Sequence, residues 1–182
     1  MSVPRILGAL AALLALLALL ACTPALNWRE ARPDGASVNV LLPCKPDRAT
    51  RSVPLGGVPT ELAVAGCTAG GMTFALMSAH LPAGQPADAV LAGWQQATLA
   101  NMQADAATAQ RRDFRPAGGL PLPHAQRLAA QGRDVQGRPV LAQAVWTARA
   151  GEAGGTELLH AVVYADRARP DAADAFFAGI RW

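Results

Sequence analysis

The sequence predicts an α+β domain: an antiparallel sheet with a long central helix and a short C-terminal helix packed on it. Three observations carry that expectation. Apolar runs of strand length alternate with glycine pairs at Gly56-Gly57, Gly70-Gly71, Gly118-Gly119 and Gly154-Gly155, and a meandering sheet needs turns at such intervals. One long stretch opening at Pro86-Ala87-Asp88 carries its apolar residues at helical spacing. A shorter stretch opening at Pro170-Asp171 repeats that start, because proline fits the first helical turn and an acid complements the helix dipole.

Taken in order, residues 37–42 alternate as a strand and stop at Pro43, whose missing N–H ends a ladder. Two short extended pieces over 50–55 and 59–65 flank Gly56-Gly57 and predict a hairpin. Gly70-Gly71 then turns the chain into residues 72–80, apolar enough for a buried strand. The long helix is expected over 86–107. Val90, Leu91, Trp94, Thr98 and Met102 fall on one stripe, while Gln95, Gln96, Gln103 and Asp105 lie away from it. A polar segment with Arg111, Arg112 and Arg115 and a proline-rich loop over 116–123 follow. Extended runs over 124–131, 138–148 and 157–165 then form a meander, and the last helix carries Phe176, Phe177 and Ile180, with Gly179 near its end.

The first residues carry a different signal. Arg5 is followed by an apolar run over 6–21, and Leu19-Leu20-Ala21-Cys22 closes it. A cation, a hydrocarbon stretch, a small residue and then cysteine resemble a bacterial lipoprotein signal peptide. On that resemblance residues 1–21 are a leader, the Cys22 thiol takes the lipid, palmitate among its acyl chains, and 22–34 form a tether to a single domain over 35–182. Thr23, rather than an acid, after the cysteine favours sorting to the outer membrane, facing the periplasm. The rival is an uncleaved anchor extending through Leu26, against which Pro24 interrupts the helix. Trp28, beyond the tether's start, has two readings: at the headgroup level, or packed on the domain's first strand.

Export leaves Cys44 and Cys67 as a pair in an oxidising compartment, so a disulfide is expected between them, joining the ends of the sheet's first and third strands. Closing a loop of this length stabilises the fold by roughly 3 kcal/mol in the chain-entropy model. A metal site is the rival, but no CxxC or paired-histidine spacing supplies further ligands.

The chain has 16 Lys+Arg against 13 Asp+Glu over 182 residues. Loss of the leader removes only Arg5, and so mild an excess does not indicate nucleic-acid binding, which would want a clustered basic face. Two cationic groups, Lys45, Arg48 and Arg51 and then Arg111, Arg112 and Arg115, are candidates for contact with anionic lipid or lipopolysaccharide. Asp47 and Asp113 interrupt them, as on an ordinary solvated surface. His80, His124 and His160 are scattered with no short ligand spacing, Ser78 lies inside an apolar strand, and there is no G-x-S-x-G elbow or phosphate-binding glycine motif.

Pro33-Asp34-Gly35, the element Leu42-Pro43-Cys44-Lys45-Pro46 and the closing Phe176-Phe177-x-x-Ile180, in an order of strands, helix, strands and helix, resemble the PsbP-like α/β sandwich of photosystem extrinsic subunits, a Ran-binding nuclear import factor and small envelope lipoproteins. More narrowly, Asn27-Trp28-Arg29 and Ala65-Gly66-Cys67 beside that element are similar to lipoproteins of betaproteobacteria. The resemblance implies a location and a fold, and an accessory or protein-binding role rather than catalysis. The expected protein is therefore a non-enzymatic membrane-anchored envelope lipoprotein with an envelope protein as partner and neither cofactor nor metal. The alternative is a small-ligand binder or enzyme with a site between the long helix and the sheet, joining groups such as His80, Arg112 and His160.

Overall fold

The computed structural model describes residues 25–182; the expected leader and Cys22 lie outside the described residues. Seven strands form one antiparallel sheet: β3 (Asp47–Leu55), β4 (Val58–Ala69), β5 (Met72–Leu81), β6 (Gln110–Asp113), β7 (Gln126–Arg133), β8 (Pro139–Ala150) and β9 (Thr156–Ala165). Their order across the sheet is β3-β4-β5-β9-β8-β7-β6. The two strand-rich halves of the chain thus meet where β5 pairs with β9, Thr73 opposite Tyr164. β9 is buried along nearly its whole length, which its run of Leu158, Leu159, Val162 and Val163 permits and which requires cover on both faces.

One cover is helix α1 (Ala87–Asn101), lying with Val90, Leu91 and Trp94 against Ala79, Leu128 and Trp146. The other is made from the two chain ends: helix α2 (Pro170–Ala178) and a two-stranded sheet of β1 (Arg29–Ala31) and β2 (Val40–Leu42). Phe74 is the centre of that second layer. Phe176 meets it edge-on at 5.4 Å, and Trp28 also meets it edge-on, at 6.0 Å. Trp28 thus packs on the core, and β1 falls within the segment read from sequence as tether.

The expected hairpins form where the glycines stand. Gly56 and Gly57 have φ of 59° and 81°, the conformation of a two-residue turn whose twist matches the strands and which other residues adopt at a cost. The strand read over 37–42 is a correction: the strand is only Val40–Leu42, and it pairs with β1 outside the main sheet. The Cys44–Cys67 disulfide is present, with sulfurs 2.01 Å and α-carbons 5.9 Å apart. It therefore joins the small sheet's exit to β4, instead of two strands of one sheet.

The long helix is a second correction, because α1 has 15 residues and ends at Asn101. The Gln103 N–H donates to the Ala100 carbonyl at 3.0 Å and the Ala104 N–H to the Leu99 carbonyl at 2.9 Å, with Gln103 at a φ of 51°. This is a Schellman stop with glutamine where glycine is usual. The helix end then docks on β7: the Arg133 N–H donates to the Met102 carbonyl at 2.7 Å, an approach open only because Gly132 has no β-carbon, which would sit 2.5 Å from that oxygen. The polar segment after it, to which the sequence assigned no element, supplies the short edge strand β6, all exposed.

Two stability changes follow. Gln103→Gly removes the cost of a left-handed glutamine and should stabilise the domain by about 1 kcal/mol, read as a higher urea midpoint at unchanged slope. Cys44→Ser should cost about 3 kcal/mol in oxidising buffer and almost nothing once the parent is reduced.

Candidate functional site

The inward face of α1 does not seal the sheet beneath it. Towards β3, β4 and β5 a groove of about 840 Å³ remains, walled by Leu55, Leu62, Met77, Trp94, Met102 and Tyr164. Such a volume with an apolar lining is in the range of small-molecule sites. Its rim is the turn between β7 and β8, with Arg133, Asp134, Val135 and Arg138. Trp94 and Met102 belong to the stripe read from sequence. The remaining walls come from alternate residues of separate strands, which only the sheet's register brings together.

His160 forms part of the floor. Its ring stacks on Trp146 with centroids 4.2 Å apart and planes 6° from parallel, and Trp94 meets it edge-on at 5.4 Å. Nδ1–H donates to the Val145 carbonyl at 3.2 Å. Burial pushes the imidazole pKa down to about 4, offset only in part by that hydrogen bond. Neutral at ordinary pH and a weak base, it acts as an aromatic surface. Burial pushes the Tyr164 phenol up, and no hydrogen bond opposes it.

One end of α1 is fastened by His124. Asp88 accepts both the His124 N–H at 2.8 Å and the ring Nδ1–H at 2.9 Å. Burial opposes ionisation of Asp88, yet these hydrogen bonds and the charge of the ring hold its pKa below the usual value. Gln95, expected on the outer face of the helix, is buried and donates to the His124 carbonyl at 2.8 Å. A glutamine whose amide has one fixed acceptor can be covered at little cost.

On the opposite face, a smaller cavity of about 480 Å³ lies beside Glu157, which is only 1% exposed. Its carboxylate accepts the Ser37 N–H at 2.9 Å and the Ser37 hydroxyl, and pairs with Arg149 Nε at 3.2 Å. Arg149 stands opposite Glu157 in the β8–β9 register and lies over the Trp182 ring. This cluster straps the segment before β2 onto the sheet. The sequence signal for it was slight: one acid opening an apolar strand.

The suggested group of His80, Arg112 and His160 is not assembled. His80 lies on the Glu157 face, its Nε2 3.1 Å from the Gly35 carbonyl oxygen. Arg112 is on edge strand β6, 3.9 Å from Asp174, and His160 is under α1. Ser78 is buried within β5. The two cationic groups also separate, Arg48 and Arg51 on one edge strand and Arg111 and Arg112 on the other. Arg48 is bound to Asp34 and the Arg32 carbonyl, and Arg111 to the Ala106 and Ala109 carbonyls. Lys45 is exposed beside the disulfide, and Arg115 is exposed beyond β6.

Because an unfolded histidine titrates near 6.5, acid below that pH protonates the unfolded chain before the folded one. Stability should therefore fall as pH drops from about 6.5 to 4, by up to about 3 kcal/mol from His160. Replacement His160→Phe should flatten denaturant midpoints over that window; an unchanged slope would assign the loss to other groups. No family model matches the chain, and no curated protein or solved structure matches it.

Proposed function

We propose that the protein is a non-enzymatic binding module of the bacterial envelope, held by lipid at Cys22, whose groove under α1 takes an apolar ligand. The observation that supports binding is the groove itself: an open apolar volume whose buried imidazole is held neutral between two indoles. A weak base under an aromatic lid serves surface recognition better than proton transfer. Location rests on the leader and Cys22 of the sequence. A sheet between two helical layers, with strands, helix, strands and helix in order, supports the PsbP-like reading of the fold.

Accessory lipoproteins reach protein partners as well, and the exposed edge strand β3 supports that second reading. It runs nine residues with one side unpaired among the described residues, although Asp47, Arg48, Arg51 and Pro54 guard it against indiscriminate pairing.

Radiolabelled palmitate should enter the full chain in a bacterial host and fail to enter Cys22→Ala; equal entry would remove the anchor. For the groove, the fluorescent apolar probe N-phenylnaphthylamine should bind saturably and be displaced by palmitate. Ala97 is an exposed helix residue that lines the groove, so Ala97→Phe fills the space at a helix cost of roughly 0.5 kcal/mol. That variant should lose probe binding while staying folded. Equal binding by both proteins would place the probe elsewhere and remove the groove from the proposal.

A further inference from the structure

Leu26, four residues after Cys22, and the rim of the groove share one end of the sheet. Leu26, the second described residue, lies against Gly70 of the β4–β5 turn. Only residues 23–25 separate it from Cys22, so lipid on that thiol attaches within about 14 Å of Leu26. The register then carries the same end across the sheet: Ala69 opposite Met72, Thr73 opposite Tyr164, Ala142 opposite Tyr164, and Gly132 opposite Val140. The next residues of that edge are the β7–β8 turn, which is the rim of the groove.

This turn has the chemistry of a bilayer contact. Val135 at its tip is 96% exposed, the extreme among large apolar residues described. Arg138 is matched by Asp134 at 2.7 Å, but the Arg133 guanidinium donates only to the Gly137 carbonyl at 2.8 Å and has no acidic partner among the described residues. One uncompensated cation beside an exposed apolar tip fits a surface of anionic headgroups over hydrocarbon. Inside, Met77 and Met102 give the groove walls that adapt to a flexible chain.

We infer that the β7–β8 turn is a membrane-touching lip through which the groove receives a single acyl chain bearing an anionic headgroup from the bilayer, the headgroup meeting Arg133. The inference rests on the groove being a ligand site and on lipid at Cys22. The occupant comes from the membrane that holds the anchor, rather than from solution.

The test uses the full lipid-modified chain in phosphatidylcholine vesicles. A diazirine-bearing lysophosphatidylglycerol is placed either in the same vesicles or, as a water-soluble octanoyl analogue, in the surrounding buffer, and labelled peptides are mapped after illumination. Labels should fall on the peptides carrying Trp94, Met102 or Met77. Val135→Asp should lower the ratio of vesicle-derived to solution-derived labelling about fivefold, and Arg133→Gln should erase an about fivefold preference over the choline analogue. If both variants label as the parent does while Ala97→Phe abolishes labelling, the lip is overturned and the groove stands. If groove peptides are never labelled, or Ala97→Phe changes nothing, the ligand site itself falls and the lip with it.

Discussion

A strand buried on both faces sets the terms for this molecule. β9 and its neighbours β5 and β8 occupy the middle of the sheet, and Leu158, His160 and Val162 face one way while Leu159, Ala161 and Val163 face the other. Neither set tolerates water, so the chain must supply two covers. Asp88 at one end of α1 is tied to His124 just before β7 and Met102 at the other to Arg133 at the end of β7, so the helix runs along that strand. A helix is about 10–12 Å across, whereas seven strands spaced near 4.8 Å extend over roughly 29 Å. One helix therefore leaves part of its face open, and the Schellman stop at Gln103 decides which part: α1 ends on β7, and the space towards β3 and β4 remains a groove. A helix continued to residue 107 would project beyond its docking point at Gly132.

Much of the fold was legible because local chemistry and global arrangement agree. Gly56-Gly57 and Gly70-Gly71 stand at two-residue turns with positive φ, and the three C-terminal runs form the β7-β8-β9 meander in sequence order. The cysteine pair was legible as the two cysteines left once Cys22 is assigned to the leader signal. The helix end was not, since its left-handed position holds glutamine and no side-chain preference marks it. β1, with three residues, and β6, with four exposed polar ones, are too short for any periodicity. They exist because a neighbouring strand offers them a ladder.

Less of the site could be read. The face of α1 was given by helical spacing, but Gln95 broke the pattern because its partner is a carbonyl at His124, 29 residues away. His160 was visible as a histidine in a strand. Its indole neighbours come from α1 and β8 and depend on tertiary packing. The same holds for Glu157, whose burial is tolerable only through Ser37, 120 residues earlier, and Arg149 on the neighbouring strand. Removing one partner of such a cluster leaves a charge stranded, so it fixes one arrangement of the N-terminal segment more than it adds to stability.

The two faces of the sheet are consequently held by different forces. The chain-end layer carries the disulfide, the Glu157 cluster and the reciprocal backbone pair between Asn39 and Arg181, at 2.7 and 2.8 Å. These ties are directional, and they fix β2 against β4, β9 and the C-terminus. The α1 layer has directional ties at its two ends, Asp88 to His124 and Met102 to Arg133, and one at mid-helix, Gln95 to His124. Between them it rests on side-chain packing, and two of the residues facing the open side are methionines. Side chains there can change rotamer without breaking a backbone hydrogen bond, whereas any comparable change on the other face would have to undo a covalent bond or strand a carboxylate. Adaptability is thus confined to the face that carries the groove, and rigidity to the face that leads to the chain's N-terminal segment.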